Sequence, residues 1–203
     1  MTAWDLSLLH QINTAWSHPV LDRLMPTLSA IEAWLPLIIL AVLLTAWRGG
    51  KQARTMLLCL ALALALGDAV ISNTLKKAIG RVRPRDAMEG VIVRDLGNAS
   101  PAFMRLFEKP VVKPSEPMGE THGKSFPSSH TVNLFAAATV IACFYRGAGL
   151  AMYLLAAAVA YSRIYCGAHW PSDIPPSMAL GVLTGLGVVW TTNRLMSRSN
   201  ARV

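Results

Sequence analysis

The chain has 203 residues, of which 53% are hydrophobic and 15% charged. This share of charge excludes an ordinary soluble domain, in which about a quarter of the residues are charged. The net charge of +8 does not indicate a nucleic-acid partner, because the basic residues form no continuous polar domain. We therefore predict an all-α, polytopic membrane helical bundle, with residues 1–203 as a single integral-membrane domain.

Residues 1–19 are predicted to form an interfacial helix. Trp4, Leu8 and Ile12 recur every four residues, and Trp4 and Trp16 could anchor the helix at the membrane surface. Packing of this helix against the bundle is the alternative. Asp5, together with the lack of a basic start and of a sustained apolar core, argues against a cleavable signal peptide.

Five apolar stretches follow, and small flanking residues extend each towards the length that crosses a bilayer. They cover residues 35–47, 56–70, 131–145, 150–161 and 178–190. The first span is expected to begin near Val20, because only Pro26, Glu32 and Pro36 interrupt it. Five spanning helices are predicted, with six as the alternative. In the last span, Gly181 and Gly185 could form a helix-contact face.

Basic residues between the spans predict the orientation of the chain. They occur at three short loops or ends: Arg48, Lys51 and Arg54; Arg146; and Arg194, Arg198 and Arg202. The positive-inside rule makes these places cytoplasmic. The remaining loops then face the periplasm or the cell exterior, as expected for a protein of a bacterial inner membrane.

One long hydrophilic stretch, residues 85–126, is predicted to be an extracytoplasmic loop. Within it, Ser100 as N-cap and Pro101 at the first helical position predict a short helix over 102–109. We expect this helix to rest on the membrane surface near the functional site.

The second span carries a polar stripe that leads to a first basic cluster. Asp68, Ser72 and Lys76 are spaced by four residues and would share one helical face. An acid inside a membrane normally has a partner. Ser72, Asn73 or a neighbouring span could supply it, so Asp68 is interpreted as structural.

Lys76 and Arg83 are seven residues apart and would bring an ammonium and a guanidinium together. Gly80 and Pro84 indicate that the helix ends between them. Such a pair could hold phosphate oxygens. A basic patch that binds lipid headgroups is the alternative interpretation.

A second cluster, Pro127-Ser128-Ser129-His130, stands directly before an apolar helix. The first N–H groups of a helix are free, and with the helix dipole they form an anion site. His130 would lie in the first turn and face a bound anion, although an isolated histidine there is more often an ordinary interfacial residue.

The third cluster combines Arg163, His169 and Asp173. These residues supply a phosphate clamp, a nucleophile or base, and a carboxylate that can orient an imidazole. Because Pro171 intervenes, we place His169 just before the last span and Asp173 in its opening turn. A surface ion pair or a metal site is the alternative. The metal is disfavoured by the lack of ligand spacing, since nearby His122 has no partner.

The three clusters read K-x6-R-P, P-S-x-H and S-R-x5-H-x3-D, in this order and each at the end of a span. In this they resemble the type 2 phosphatidic acid phosphatase family of membrane lipid phosphatases, from Lys76 to about Gly185. The resemblance implies a helical-bundle enzyme that uses neither a metal nor another cofactor.

The resemblance also implies a role for each site residue. The phosphate would be held by Lys76, Arg83, Arg163, Ser128 and the backbone N–H groups near Ser129. His169 would attack phosphorus to give a phosphohistidine, and Asp173 would orient it. His130 would protonate the leaving oxygen and then activate water.

Two departures from the family pattern bear on this geometry. Ser129 stands where the family more often has glycine, and a positive φ would be costly for serine. Pro175 and Pro176 follow Asp173, so the last span is expected to begin with an irregular turn.

The resulting hypothesis is a lipid phosphatase that acts on a membrane lipid phosphate in the bilayer. Undecaprenyl diphosphate is the first choice of substrate. Phosphatidylglycerophosphate, phosphatidate and lipid A 1-phosphate are alternatives, as is phosphoryl transfer to another lipid. A non-catalytic protein that binds anionic lipid would need the cations but not His169 and Asp173. A small transporter would depend on Asp68 and the glycines of the last span. The sequence predicts no oligomeric state.

Overall fold

The computed structural model describes residues 2–117, 119 and 123–200, and these form a bundle of helices. The predicted helical membrane bundle is confirmed. His122 and Arg202, which the sequence interpretation used, lie outside the described residues.

The helices of this part of the chain follow the predicted apolar stretches. The α-helices are α1 (Ala3–His10), α2 (Pro19–Ser29), α3 (Ile31–Arg48), α4 (Lys51–Ala65), α5 (Asn73–Ile79), α6 (Pro84–Ala87), α7 (Ser129–Phe144), α8 (Arg146–Tyr165) and α9 (Ile174–Asn200). A π-helical segment over Gln11–Ala15 continues α1, and another over Leu66–Ser72 joins α4 to α5. Short 3-10 helices cover Ala102–Phe107 and Pro171–Asp173.

The chain is a multi-pass membrane protein. Four stretches are long and apolar enough to cross a bilayer: Ile31–Arg48, Lys51–Ala87, Arg146–Tyr165 and Pro171–Arg198. The helix Ser129–Phe144 is apolar but shorter. Together these helices contain the five apolar stretches that the sequence predicts.

The expectation that the first span begins near Val20 is wrong. Ala30 has φ −81° and ψ 65°, which is not helical, so α2 and α3 are separate helices. Helix α2 packs against α8, and its buried Ser29 hydroxyl lies 2.6 Å from the Ser162 hydroxyl. This buried contact turns α2 towards the bundle, and the spanning helix begins only at Ile31.

Helix α7 lies at the centre of the bundle, where it packs against α8, α9 and α4. The predicted glycine face of α9 is confirmed. A Cβ atom at Gly181 would lie 2.4 Å from the carbonyl oxygen of Val132, and one at Gly185 would lie 2.8 Å from that of Ala136. Only glycine allows the two backbones to approach this closely.

The N-terminal helix packs against the bundle through Leu9 and Ile12, which are buried. Trp4 and Trp16 stay 51% and 49% exposed. The structure therefore shows the packing of this helix against the bundle. Its interfacial role stays a prediction, with which the two exposed indole rings are consistent.

The loop over 85–126 contains two strands that the sequence interpretation did not anticipate. Strand β1 (Ile92–Asp95) pairs antiparallel with β2 (Val111–Pro114), with Ile92 opposite Pro114. The short helix expected over 102–109 is instead the 3-10 helix Ala102–Phe107. Its N-cap is Pro101 rather than Ser100, because Pro101 has an extended backbone with ψ 157°.

A buried arginine of β1 fastens this hairpin to the bundle. The Nε of Arg94 lies 2.5 Å from Oδ1 of Asp22, and its Nη1 donates to the carbonyl oxygens of Asn13 and Tyr165 at 2.9 Å each. Its Nη2 donates to the Ser17 hydroxyl at 2.7 Å, and the guanidinium stacks on the Tyr165 ring at 4.1 Å. The hairpin is thereby held over the end of the bundle where α5 ends and α7 begins.

Candidate active site

The three sequence clusters meet at this end of the bundle. Helix α5 ends at Ile79 because Gly80 adopts a left-handed conformation with φ 60°, as the sequence predicted. Lys76 therefore lies in the last turn of α5, and Arg83 lies in the extended segment before α6. Electrostatic interactions link Lys76 with both Arg83 and Arg163.

Among the residues that the structure describes, Arg83 and Arg163 have no partner for their charge. The Nε atoms of both side chains are buried without a hydrogen-bond partner, and neither guanidinium forms a salt bridge with any described residue. Burying a cation without an anion is costly. Two such cations close together indicate a site whose partner is a bound anion.

The start of α7 provides further donors. Lys76 Nζ lies 2.5 Å from the Ser129 hydroxyl, which brings the first and second clusters into contact. The N–H of Thr131 is capped by the Ser128 hydroxyl, whereas those of Ser129 and His130 have no partner inside the helix. These two N–H groups are available to an anion at the positive end of the helix dipole.

Ser128 is occupied by structural contacts. It is fully buried, and its hydroxyl accepts a hydrogen bond from Thr131 Oγ1 at 3.0 Å. Its own N–H donates to the Ser177 hydroxyl at 3.0 Å, and that hydroxyl donates to the carbonyl oxygen of Asp173 at 2.6 Å. Ser128 thus joins the second cluster to the third. Ser129, which replaces the family's more usual glycine, is unstrained, because no described non-glycine residue has a positive φ.

His169 lies in the loop between α8 and the 3-10 helix Pro171–Asp173. The N–H groups of Ala168 and His169 both donate to the carbonyl oxygen of Arg163, at 2.9 and 3.2 Å. This fixes the histidine next to the arginine of the same motif. His169 is 3% exposed, and burial lowers its pKa to about 4 despite the opposing effect of the Asp173 carboxylate.

The imidazole of His169 faces the Asp173 carboxylate with one of its two ring nitrogens. Its Nδ1 lies 3.6 Å from Oδ2 of Asp173, which is beyond hydrogen-bond range. Because Nδ1 faces the carboxylate, Nε2 is the nitrogen left for chemistry. With its lowered pKa the ring is neutral at neutral pH, and the Nε2 lone pair is free. His130 lies close enough to interact electrostatically with Arg163, His169 and Lys76.

Asp173 ends the 3-10 helix that precedes α9, and its carboxylate is held from three sides. Oδ2 accepts from the Ser125 hydroxyl at 2.5 Å and from the Trp170 N–H at 3.0 Å, and Oδ1 accepts from Arg81 Nη1 at 2.5 Å. The irregular turn expected from the following prolines is this 3-10 helix. The prolines themselves fall in the first turn of α9, where their missing N–H groups are tolerated.

Sequence reasoning missed two of these contacts. Arg81 stood out only as one of a run of basic residues, and Ser125 lay in an undistinguished part of the loop. The backbone explains why both reach Asp173: the N–H of Ser125 donates to the carbonyl oxygen of Arg81 at 2.8 Å. No spacing rule links positions so far apart along the chain.

Asp68 differs from its predicted role. The segment that contains it is π-helical, and Asp68 is exposed and makes no hydrogen bond or salt bridge with a described residue. The expected partner Ser72 is buried with its hydroxyl unbonded. Asp68 instead lines a cleft beside the site and interacts electrostatically with Lys76.

This cleft, of about 350 Å³, adjoins the cations and N–H groups of the candidate anion site. Ser129, His130 and Arg163 form part of its wall, and Arg105 of the outer 3-10 helix lies on another side. A second groove of about 400 Å³ is almost wholly apolar and runs between α3 and the helices α7 and α8. Ile31 lines both, so the polar cleft and the apolar groove lie next to each other.

The fold and site define a multi-pass membrane protein with a cluster of cations and a buried histidine at one end of its helix bundle. The model of the PAP2 superfamily matches residues 54–197, and the chain belongs to that superfamily. The resemblance to the type 2 phosphatidic acid phosphatases is thereby confirmed.

Three relatives match different shares of the chain. A segment of 71 residues is 42% identical to the bacitracin transport permease protein BcrC of Bacillus licheniformis and covers 35% of each chain. A segment of 69 residues is 35% identical to "Putative undecaprenyl-diphosphatase YbjG" of Escherichia coli and covers 32% of this chain and 35% of that one. The match thus spans about a third of these relatives. Over 200 residues the chain is 24% identical to the lipid A 4'-phosphatase of Bacteroides thetaiotaomicron, covering 96% of this chain and 79% of the relative.

Two crystal structures share the fold. LpxE of Aquifex aeolicus superposes with a TM-score of 0.68 at 25% identity, covering 93% of this chain and 96% of that one. A PAP2 type phosphatidylglycerolphosphate phosphatase of Bacillus subtilis superposes with a TM-score of 0.58 at 21% identity, covering 95% and 88%. The second likeness concerns the fold alone.

Proposed function

We propose that the protein is a lipid phosphatase that hydrolyses a membrane lipid phosphate through a phosphohistidine. One observation carries the proposal: Arg83 and Arg163 interact electrostatically with a buried neutral imidazole, His169. Their buried Nε atoms have no hydrogen-bond partner, and neither side chain pairs with a carboxylate in the described part of the chain. A phosphate supplies the missing negative charge and the electrophile together. Membership of the PAP2 superfamily supports the same reaction.

In the first step, the phosphate is bound by Lys76, Arg83 and Arg163 and by the N–H groups at the start of α7. Nε2 of His169 attacks phosphorus, and the bond between phosphorus and the leaving oxygen breaks. His130 gives a proton to that oxygen, and the bound phosphate anion stabilises the protonated form of this imidazole. Asp173, held by Arg81 and Ser125, keeps Nδ1 oriented and stabilises the positive charge that develops on the ring.

In the second step, neutral His130 removes a proton from water, which attacks the phosphohistidine. The P–N bond breaks, and phosphate leaves with His169 restored. The charge that builds up on the phosphoryl oxygens is stabilised throughout by the cations and the helix N–H groups. Since the phosphate-binding side chains are all cationic, they would repel a divalent metal, and we propose a metal-independent reaction without a cofactor.

The cleft and groove favour a substrate with a small headgroup and a long apolar chain. A phosphate at His169 would place the leaving oxygen near His130, in the wall of the cleft, and the chain could continue past Ile31 into the groove along α3. Undecaprenyl diphosphate fits this description and remains the first choice, which the name of the Escherichia coli relative supports. Lipid A phosphates, phosphatidate and phosphatidylglycerophosphate are the alternatives.

We further propose that the protein lies in a bacterial inner membrane with the site facing outwards. The charge pattern supports this orientation, because Arg48, Arg54, Arg146 and Arg194 all lie at the end of the bundle opposite the site. Cysteines placed at exposed Lys113 and at exposed Gly147 test it in a Cys143→Ala background. An impermeant maleimide added to intact cells should label the first and spare the second.

The test of activity uses the purified full chain in detergent with EDTA. A panel of lipid mono- and diphosphates at equal mole fraction is scored for free phosphate. We expect metal-independent release, fastest from undecaprenyl diphosphate, and inhibition by vanadate, which can mimic five-coordinate phosphorus on Nε2. A requirement for added magnesium, or indifference to vanadate, would contradict the mechanism.

Replacing the nucleophile separates the enzyme from a protein that only binds anionic lipid. His169→Gln should abolish phosphate release and leave lipid binding intact. His10→Gln, at an exposed histidine of α1, should leave both phosphate release and lipid binding unchanged. Persistence of activity in His169→Gln would end the phosphohistidine proposal. Solute-dependent flux without released phosphate would favour a transporter.

A further inference from the structure

Arg81 lies between two buried carboxylates that come from opposite ends of the chain. Its Nη1 lies 2.5 Å from Oδ1 of Asp173, and its Nη2 lies 2.6 Å from Oδ2 of Asp5. The Asp173 and Asp5 side chains are 0% and 1% exposed. One guanidinium is therefore shared by the carboxylate that orients His169 and by a carboxylate of the N-terminal helix.

Asp5 also holds the turn that carries Asp173. Its Oδ1 accepts the backbone N–H of Ser172 at 2.9 Å, and its Oδ2 accepts the Ser172 hydroxyl at 2.6 Å. The Ser172 hydroxyl in turn receives a hydrogen bond from Arg81 at 2.8 Å. Asp5 thus fixes both the guanidinium that grips Asp173 and the backbone beside Asp173.

The charges of this group do not cancel. Two carboxylates and one guanidinium leave a net charge of −1 next to His169. When Nε2 bonds to phosphorus, the imidazole becomes cationic, and this residual negative charge then stabilises it. If Asp5 were absent, Arg81 would neutralise Asp173 alone, and the developing cation would lose that stabilisation.

We propose that Asp5 is a positioning residue for phosphoryl transfer, which acts on His169 through Arg81 and Asp173. The proposal rests on the proposed phosphatase function. It makes the docking of the N-terminal helix a condition for an active nucleophile, so that this helix serves the reaction as well as the fold.

Asp22 provides a matched control. It too is an acid of the N-terminal segment that pairs with a buried arginine, since Arg94 Nε lies 2.5 Å from its Oδ1 and the Tyr165 hydroxyl donates to the same atom at 2.7 Å. None of its hydrogen bonds leads to Asp173. Asp5→Asn and Asp22→Asn therefore each remove one charge from a buried ion pair, but only the first alters the surroundings of the nucleophile.

The experiment compares kcat and KM for the wild type, Asp5→Asn and Asp22→Asn, each in the wild-type and Asp173→Asn backgrounds. A radiolabelled lipid phosphate makes residual turnover measurable. We expect Asp5→Asn to lower kcat about 10-fold with KM changed less than about twofold, because the phosphate clamp is untouched. In the Asp173→Asn background the same change should have almost no effect, since its route to His169 is lost.

Other outcomes would contradict the proposed role of Asp5. If Asp5→Asn resembled Asp22→Asn, or lowered kcat equally in both backgrounds, Asp5 would be only a structural residue. Should Asp5→Asn fail to fold, Ser172→Ala, which removes one hydroxyl from the same group, must lower kcat without raising KM or the proposal is wrong. A wild type that released no phosphate from any lipid would refute the phosphatase function itself, which is a different failure.

Discussion

Arg81 and Arg83 stand two residues apart, yet their surroundings are opposite. Arg81 is bound by two carboxylates and a serine hydroxyl, whereas Arg83 has a buried Nε without a partner and no salt bridge to a described residue. Arg94 and Arg163 show the same contrast. The Nε, Nη1 and Nη2 atoms of Arg94 all donate hydrogen bonds to protein acceptors, whereas the Nε of Arg163 is buried without a partner.

The difference teaches how to tell a structural cation from a functional one. Folding satisfies a buried polar group with protein partners wherever it can, since an unsatisfied one costs free energy. A buried cation whose N–H donors lack acceptors in the protein has those donors available to a ligand. Its cost to the fold is offset by the binding of that ligand. The strongest tests therefore set a satisfied arginine against an incomplete one.

The largest effect is expected from Arg163→Met. Loss of this clamp should lower kcat/KM about 10³-fold, as measured by phosphate release. The melting temperature should not fall, because the change removes a charge for which the described residues provide no partner. A large drop in Tm would show that Arg163 has a structural partner and would break the comparison.

Arg94→Met is the matched change on the satisfied side. Removing this side chain takes the ion-pair partner from Asp22 and one donor each from the carbonyl oxygens of Asn13 and Tyr165. Asp22 keeps the Tyr165 hydroxyl, and the Tyr165 carbonyl keeps the Asn13 amide. We expect a loss of about 3 kcal/mol of stability, seen as a drop in Tm of roughly 10 °C in detergent. An unchanged Tm would mean that the hairpin is held by other contacts.

The sequence predicted those features that are local in the chain. Apolar runs identified the spans, and the spacing of the motif residues identified Lys76, Arg83, Arg163 and His169, because helix periodicity and motif spacing are properties of short segments. It could not show that Arg81 is shared with Asp5, 76 positions away. The break at Ala30 and the β-hairpin were missed for the same reason: buried contacts with distant helices, not local propensity, decide them.

The pH dependence should reflect the burial of His169. Burial lowers its pKa to about 4 from an ordinary value of 6.5, and protonation removes the Nε2 lone pair. Protonation of His169 should therefore lower kcat/KM with a midpoint near 4 rather than near 6.5. The profile is recorded on two lipid phosphates of different acidity. A midpoint that shifts with the substrate reports the ionisation of the substrate rather than that of His169. A fixed midpoint near 6.5 would mean that His169 is open to water.

The smallest effect is expected from Ser129→Ala, which removes the hydroxyl that contacts Lys76 but keeps the backbone N–H. We expect kcat/KM to fall by about 5-fold at most. Ser129→Pro is its partner variant. Ser129 is the first residue of α7, where proline fits the helix, and Ser128 before it has the extended backbone that proline requires. Proline removes the N–H as well, so a further loss of roughly 10²-fold would assign that N–H to the phosphate. Equal activities of the two variants would show that the Ser129 N–H does not bind the phosphate.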